Sequence, residues 1–372
     1  MENYFPTVLA TGSAFCNRKD ELEHLLYNFE IGTPTLLISP RRYGKTSLAI
    51  KGLEKSKYPF THIDLYKALN EREISEYILN GIGRLLGKIE KKPTKLMRLA
   101  TDFFGSFQLK FTFINSNISV EMTRKQGSPA DLILNALEHL DNLVLKHCSK
   151  KSAILFFDEF QVLSEVTKNV SIEAAIREAM QKAKGVKYLF AGSNRHLIER
   201  MFNDRTRPFF NSCDQITLER IKSEHYINHI KKISKEKWKK SLLKETIEEI
   251  LMRTELHPYY VNKLCAILMR SKTLPNDKDV ADAWHRYLND NTSRVQQEVA
   301  LLKLNPRRLL INIAVDHHVQ NPFGHEYSKR CGISPTSIHR AMNFLIEHDY
   351  VYKCKDNKYR VLDPLISAVL AK

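Results

Sequence analysis

An apolar run, Thr35-Leu36-Leu37-Ile38, is followed by Ser39-Pro40-Arg41-Arg42-Tyr43-Gly44-Lys45-Thr46-Ser47, after which Leu48-Ala49-Ile50 continues a helical pattern. A strand, a tight loop and a helix start are the setting in which backbone N–H groups and the positive end of a helix dipole hold a phosphate. Lys45 has the reach for the β- and γ-phosphates of a nucleotide, and the Thr46 hydroxyl is a ligand for Mg2+. The usual first glycine is replaced by Ser39, which the backbone tolerates as long as φ stays negative there. Downstream, Ala153-Ile154-Leu155-Phe156-Phe157 reads as a buried strand that ends in two carboxylates, Asp158 and Glu159. Asp158 is placed to hold Mg2+ through water, opposite Thr46, and Glu159 to polarise an attacking water. Phosphoryl transfer needs positioning and charge neutralisation more than covalent chemistry, and these residue types supply both. Together the motifs predict binding of a nucleoside triphosphate, with residues 39–47 as the phosphate cradle and Lys45 and Glu159 as catalytic groups.

Short apolar runs alternate with helical stretches up to about Leu218, the pattern of a parallel sheet flanked by helices. Thr35–Ile38, Phe60–Leu65, Ala153–Phe157 and Lys187–Ala191 are the candidate strands. Phe107, Leu109, Phe111 and Phe113 alternate with polar residues, as do Ile118, Val120 and Met122, and Asn115-Ser116-Asn117 lies between them. That alternation predicts a β-hairpin insertion over residues 106–124, expected as a surface flap. Gly127-Ser128-Pro129 opens a helix running towards His147. From Glu219 the spacing turns helical, with Ile247, Ile250 and Leu251, then Val261, Leu264, Ile267 and Leu268, three and four apart. The expected organisation is an α/β nucleotide-binding domain over 1–218, a helical lid over 219–300 and a third domain over 301–372.

In that last segment a helix from Pro306 carries Leu309, Leu310, Ile313 and Ala314. A short helix follows from His325 to Cys331, then a turn at Gly332. Ser334-Pro335 opens Thr336–Ile346 with a capping residue and a first-turn proline. Tyr350–Tyr352 and Lys358–Val361 flank the turn Asp356-Asn357, which completes a winged helix. Thr336, Ser337, His339, Arg340 and Asn343 on the exposed side of the recognition helix, with Lys353, Lys355 and Lys358 on the wing, suit phosphate and base-edge contacts with duplex DNA. Winged helices also dock proteins, so a protein partner is the alternative.

The chain has 372 residues and a formal net charge of +16, spread along its length and densest at Lys231, Lys232, Lys235, Lys237, Lys239 and Lys240. Such a balance favours anionic partners. No apolar run approaches the ~20 residues of a membrane-spanning helix, and Met1–Gly12 does not read as a secretory signal. Cys16, Cys148, Cys213, Cys265, Cys331 and Cys354 are scattered, which points to free thiols in a reducing cytoplasm.

Six landmarks in order resemble the archaeal-type ATPase family, a branch of the STAND and AAA-like P-loop ATPases. Phe15-Cys16-Asn17-Arg18-Lys19-Asp20-Glu21-Leu22 is similar to its N-terminal box, with Asn17 in place of glycine. Ser39–Leu48 is similar to its phosphate loop, and Phe157-Asp158-Glu159-Phe160-Gln161 to its Mg2+ strand. Ala191-Gly192-Ser193-Asn194, with Met201-Phe202 and Arg207-Pro208-Phe209-Phe210, looks like its sensor strand and the segment after that strand. His257-Pro258-Tyr259-Tyr260-Val261 and Asp363-Pro364-Leu365 complete the set. The resemblance implies ATP as nucleotide, Asn194 or the adjacent Ser193 as a γ-phosphate sensor, and Arg205 or Arg207 as an arginine finger, within the chain or offered to a neighbour in a homo-oligomer. His257 and Pro258 would then approach the nucleotide from the lid. The expected activity is a Mg2+-dependent ATPase switch coupled to DNA. The alternatives are a STAND-type switch for a protein partner without nucleic acid, and a nucleotide-binding scaffold without turnover, against which the presence of both Asp158 and Glu159 argues.

Overall fold

The computed structural model describes residues 3–114, 117–121, 127–167, 169–354 and 356–372; the predicted turn residues Asn115 and Ser116, the predicted Met122 and the predicted Lys355 lie outside these. Two compact units form. An α/β unit comprises Arg18–Arg41 and Lys45–Leu218, and a helical unit comprises Met1–Asn17, Arg42–Gly44 and Glu219–Lys372.

The α/β unit begins with α1 (Lys19–Ile31), β1 (Thr35–Ile38), α2 (Lys45–Ser56), β2 (Phe60–Asp64) and α3 (Glu71–Ile89). Then come α4 (Pro93–Gly105), the hairpin β3 (Lys110–Ile114) and β4 (Asn117–Glu121), and α5 (Pro129–His147). It closes with β5 (Ala153–Asp158), α6 (Val162–Val166), α7 (Ser171–Lys182), β6 (Val186–Gly192), α8 (Arg195–Asn203) and β7 (Asp214–Thr217). Five strands pair in parallel in the order β2-β5-β6-β1-β7. Every residue of β1 and β5 is buried, as expected of central parallel strands read from continuous apolar runs. The register aligns Ile38 with Gly192, and Asp64 with Asp158. The residues that follow these strands therefore gather along the carboxyl edge of the sheet, where open α/β sheets place their ligands.

The hairpin forms, but one face of it is buried. Ile118 and Val120 join the sheet's hydrophobic core. Asn80 on α3 accepts a hydrogen bond from the Val120 N–H at 2.9 Å. A Cβ on Gly83 of α3 would lie 2.9 Å from the Ile118 carbonyl oxygen, so the close approach of helix and hairpin requires glycine there.

The helical unit contains α9 (Ser223–Trp238), α10 (Lys244–Arg253), α11 (Pro258–Leu268), α12 (Asp277–Ala300), α13 (Leu304–Val315) and α14 (His325–Cys331). α15 (Pro335–Glu347), β8 (Val351–Lys353), β9 (Tyr359–Val361) and α16 (Pro364–Leu370) follow. α12 opens on a complete capping box, Asn276 with Asp279, a device worth about 1 kcal/mol. Tyr260 and Trp284 share one core with Leu309, Ile338, Leu345 and Leu365, so the predicted lid and winged-helix segments pack as one body. Asp363 caps α16 through the Leu365 N–H at 2.8 Å and accepts the Tyr260 hydroxyl at 2.6 Å. Ser334 sits at the cap position of α15, but its hydroxyl donates to Ser337 Oγ at 2.9 Å and makes no backbone cap. All six cysteines are free thiols. Among the described residues no helix is long and apolar enough to cross a membrane.

Candidate active site

The phosphate loop leaves the buried end of β1 and enters α2 at Lys45. Ser39 is fully buried and keeps a negative φ, so the serine fits the position usually held by glycine. Gly44 has φ +92°, a conformation that favours glycine, and Arg42 enters the left-handed region at φ +66°. The Lys45 ammonium donates to the Ser39 carbonyl at 2.7 Å, the Pro40 carbonyl at 3.1 Å and Ser39 Oγ at 3.2 Å. Lys45 and Ser47 are buried, Thr46 is half-buried, and Arg41 is exposed. The charges of Arg41 and Glu159 both reach Glu165, whose carboxyl burial pushes above its usual range while Arg41 opposes. Arg42, Tyr43 and Gly44 group with the helical unit. There the Arg42 guanidinium lies 4.4 Å from the Tyr259 ring centre, and the Tyr43 hydroxyl accepts from Arg220 Nε at 3.2 Å. The Tyr43 ring meets His257 edge-on at 4.9 Å. Burial, then the charges of Arg220 and Arg42, push the His257 imidazole down to about 3.

Across the sheet edge, Thr46 Oγ1 donates to Asp158 Oδ2 at 2.9 Å. A hydroxyl and a carboxylate brought together beside the loop 39–46 are hard oxygen donors, the set that suits Mg2+. His62 Nε2 lies 3.2 Å from the same Oδ2. Asp158 Oδ1 accepts the Glu159 N–H at 3.1 Å. Glu159 itself has φ +51°, a conformation that costs a non-glycine residue roughly 1–2 kcal/mol. Two short bonds to Oε2 fix its side chain, from Gln161 Nε2 and from Ser193 Oγ, each at 2.6 Å. The sheet thus delivers Lys45, Thr46, Asp158, Glu159 and Ser193 from three separate chain segments to one edge.

Asn194 follows β6 as expected, but its side chain caps α8, accepting from the Leu197 N–H at 3.2 Å. Its neighbour Ser193 makes the contact with Glu159. Arg205 is exposed. Arg207 donates to Ser164 Oγ at 2.9 Å and forms a tight ion pair with Glu173. Burial pushes the Glu173 carboxyl up to about 7, although Arg207 pulls it the other way. The finger candidate is therefore engaged in packing α7 to the segment after α8. His62 and Gln161 were not singled out by sequence. Gln161 lies two residues past Glu159 and was legible as a neighbour, whereas only the β2–β5 register, His62 opposite Phe156, brings His62 to the site.

On the winged helix Thr336, His339, Arg340 and Asn343 are exposed along α15, and Ser337 is half-buried. The His339 ring stacks on Phe323 at 4.2 Å. Lys353 is exposed at the end of β8, while Lys358 and Arg360 both approach Asp356.

A family model described as "Probable winged helix domain" matches residues 294–372. Among solved structures, the chain is similar to the Walker-type ATPase PABY2304 of Pyrococcus abyssi, with a TM-score of 0.69 and 18% identity over 98% of both chains. It is also similar to the ORC2 protein of Aeropyrum pernix in ADPNP–ADP complexes, with a TM-score of 0.56 and 12% identity over 95% of this chain and 92% of that one. The Aeropyrum pernix ORC1 protein in complex with DNA gives a TM-score of 0.52 and 11% identity, over 97% of this chain and 93% of that one. No curated protein matches the chain. The fold is that of a P-loop ATPase with a parallel five-stranded core and a C-terminal winged helix.

Proposed function

We propose that the chain is a Mg2+-dependent ATPase switch whose winged helix contacts duplex DNA. The hydrogen bond from Thr46 to Asp158 carries this reading, because it joins, across β6, the two motifs that would hold a nucleotide-bound cation. Lys45 would turn from the Ser39 and Pro40 carbonyls to the β- and γ-phosphates, and the N–H groups at the start of α2 would cradle them. The bound cation would neutralise charge on the phosphates. Glu159, held by Gln161 and Ser193, would accept the proton of the attacking water, the role that a positioned carboxylate fills in phosphoryl transfer. Asn194, Arg205 and Arg207 remain the sensor and finger candidates of the family resemblance. The exposed Arg205 is the one open to a neighbouring copy, and Arg207 would first have to leave Glu173.

ADPNP, ADP and DNA are named for the Aeropyrum pernix neighbours. With the net charge of +16 and the exposed Thr336, His339, Arg340 and Asn343, they support a nucleic-acid partner here. A reading with a protein partner rests on a different observation. Leu301, Leu304, Ile311 and Val315 expose apolar side chains at and after the end of α12, with Leu301 at 87%.

Turnover of Mg2+-ATP with and without duplex DNA, beside the Glu159→Gln variant, tests the proposal. DNA-stimulated turnover that falls by about 10²–10⁴ in the variant, with nucleotide affinity kept, is the expected result. Turnover indifferent to DNA would move the partner to protein, and a variant as fast as the parent would remove Glu159 as base.

A further inference from the structure

Asp158 Oδ2 is shared by Thr46 Oγ1 and His62 Nε2, and nothing in the motifs accounts for the histidine. His62 stands on β2, an edge strand whose register sets it opposite Phe156 on β5. Its ring lies nearly flat on the Phe156 ring, with centres 4.6 Å apart and planes 12° from parallel. Its own carbonyl accepts from Arg84 Nη2 at 3.0 Å, which ties this point of the strand to α3. The ring is held by stacking on Phe156 and by its bond to Asp158, and the backbone that carries it is tied to α3. A carboxylate oxygen only accepts, so Nε2 is the nitrogen that carries hydrogen towards Asp158.

We infer that His62 is a positioning residue for the Mg2+ site, acting through Asp158. With Oδ1 held by the Glu159 N–H and Oδ2 by Thr46 and His62, the carboxylate has little freedom to rotate. Were the Thr46 hydroxyl to turn to a bound cation, His62 would still hold Oδ2 in place. Asp158 would act on the cation through water, and the outer hydrogen bonds that orient the groups around a metal are worth typically about 10–100-fold in metal affinity. The inference rests on the proposed nucleotide site, so its test has to separate the two.

The measurement is equilibrium binding of a fluorescent ATP analogue, titrated with Mg2+ and repeated without it, for the full chain and for His62→Phe, His62→Gln and His62→Ala. His62→Phe keeps a ring on Phe156 and removes the donor; His62→Gln keeps a donor without the ring. The expected result is a Mg2+ midpoint raised about 10–100-fold in His62→Phe and His62→Ala, with part of the affinity recovered in His62→Gln. Affinity for the analogue without Mg2+ should stay within about twofold in all three, which also reports that the variants fold. A His62→Phe midpoint equal to the parent's would overturn the inference and leave His62 as packing alone. A parent chain whose nucleotide binding ignores Mg2+ would overturn the proposed site, and the inference with it.

Discussion

Replacing Arg207 with alanine would strip Glu173 of its only ion pair among the described residues. Glu173 is 1% exposed, and its Oε2 has no hydrogen-bond partner, so the carboxylate has no solvent to fall back on. Breaking a buried pair by removing one member costs about 3–5 kcal/mol. Arg207 keeps 18% of its side chain exposed, which argues for the lower end of that range. At ~2–4 °C per kcal/mol for a unit of this size, the melting temperature should fall by about 6–12 °C. The pH dependence has a definite sign. The folded-state carboxyl lies above its unfolded value of about 4.3, at about 7, so the stability it contributes is full below the lower value and lost as pH rises through the upper. Arg207 opposes that loss, and the deficit of Arg207→Ala should be larger at about pH 8 than at about pH 5.5. Pairing Arg207→Met with Glu173→Leu removes both charges while keeping volume, and should return the melt to within about 1.5 kcal/mol of the parent. Thermal unfolding followed by circular dichroism, with Mg2+-ATP turnover on the same samples, decides the matter. If Arg207→Ala melts like the parent yet hydrolyses no ATP, the packing argument is wrong and Arg207 is the finger that the family resemblance suggests.

Gly192→Ala would set a Cβ 2.5 Å from Gln161 Oε1 and 2.9 Å from Ile198 Cδ1. Gln161 should be displaced from Glu159, lowering turnover more than nucleotide affinity at a stability cost of about 1–3 kcal/mol, read from kinetics and a melt together. Arg340→Glu should weaken duplex DNA binding at low salt and reduce the slope of log affinity against log salt by about 1, measured by fluorescence anisotropy. An unchanged slope would take α15 off the DNA.

Sequence made β1, β5 and β6 legible as nearly continuous apolar runs, and the partly exposed β2 legible as the run Phe60–Leu65. β7 was missed because Asp214-Gln215-Ile216-Thr217 buries only Ile216 and carries no apolar run; its pairing with β1 makes it a strand. The helices of the C-terminal segment were legible from period and from Pro258 and Pro335 at their first turns.

The loop 39–46 and the pair Asp158-Glu159 were determined by sequence alone, because local spacing is enough to specify a strand end, a turn and a helix start. The contacts that hold those groups were decided by tertiary structure. Strand order placed β6 between β1 and β5, and so brought Ser193 to Glu159. Register brought His62 to Asp158 across 96 residues of chain. Packing closed Arg207 onto Glu173. Strand order, register and helix packing are set by burial summed over the whole sheet, and no local run of residues encodes them.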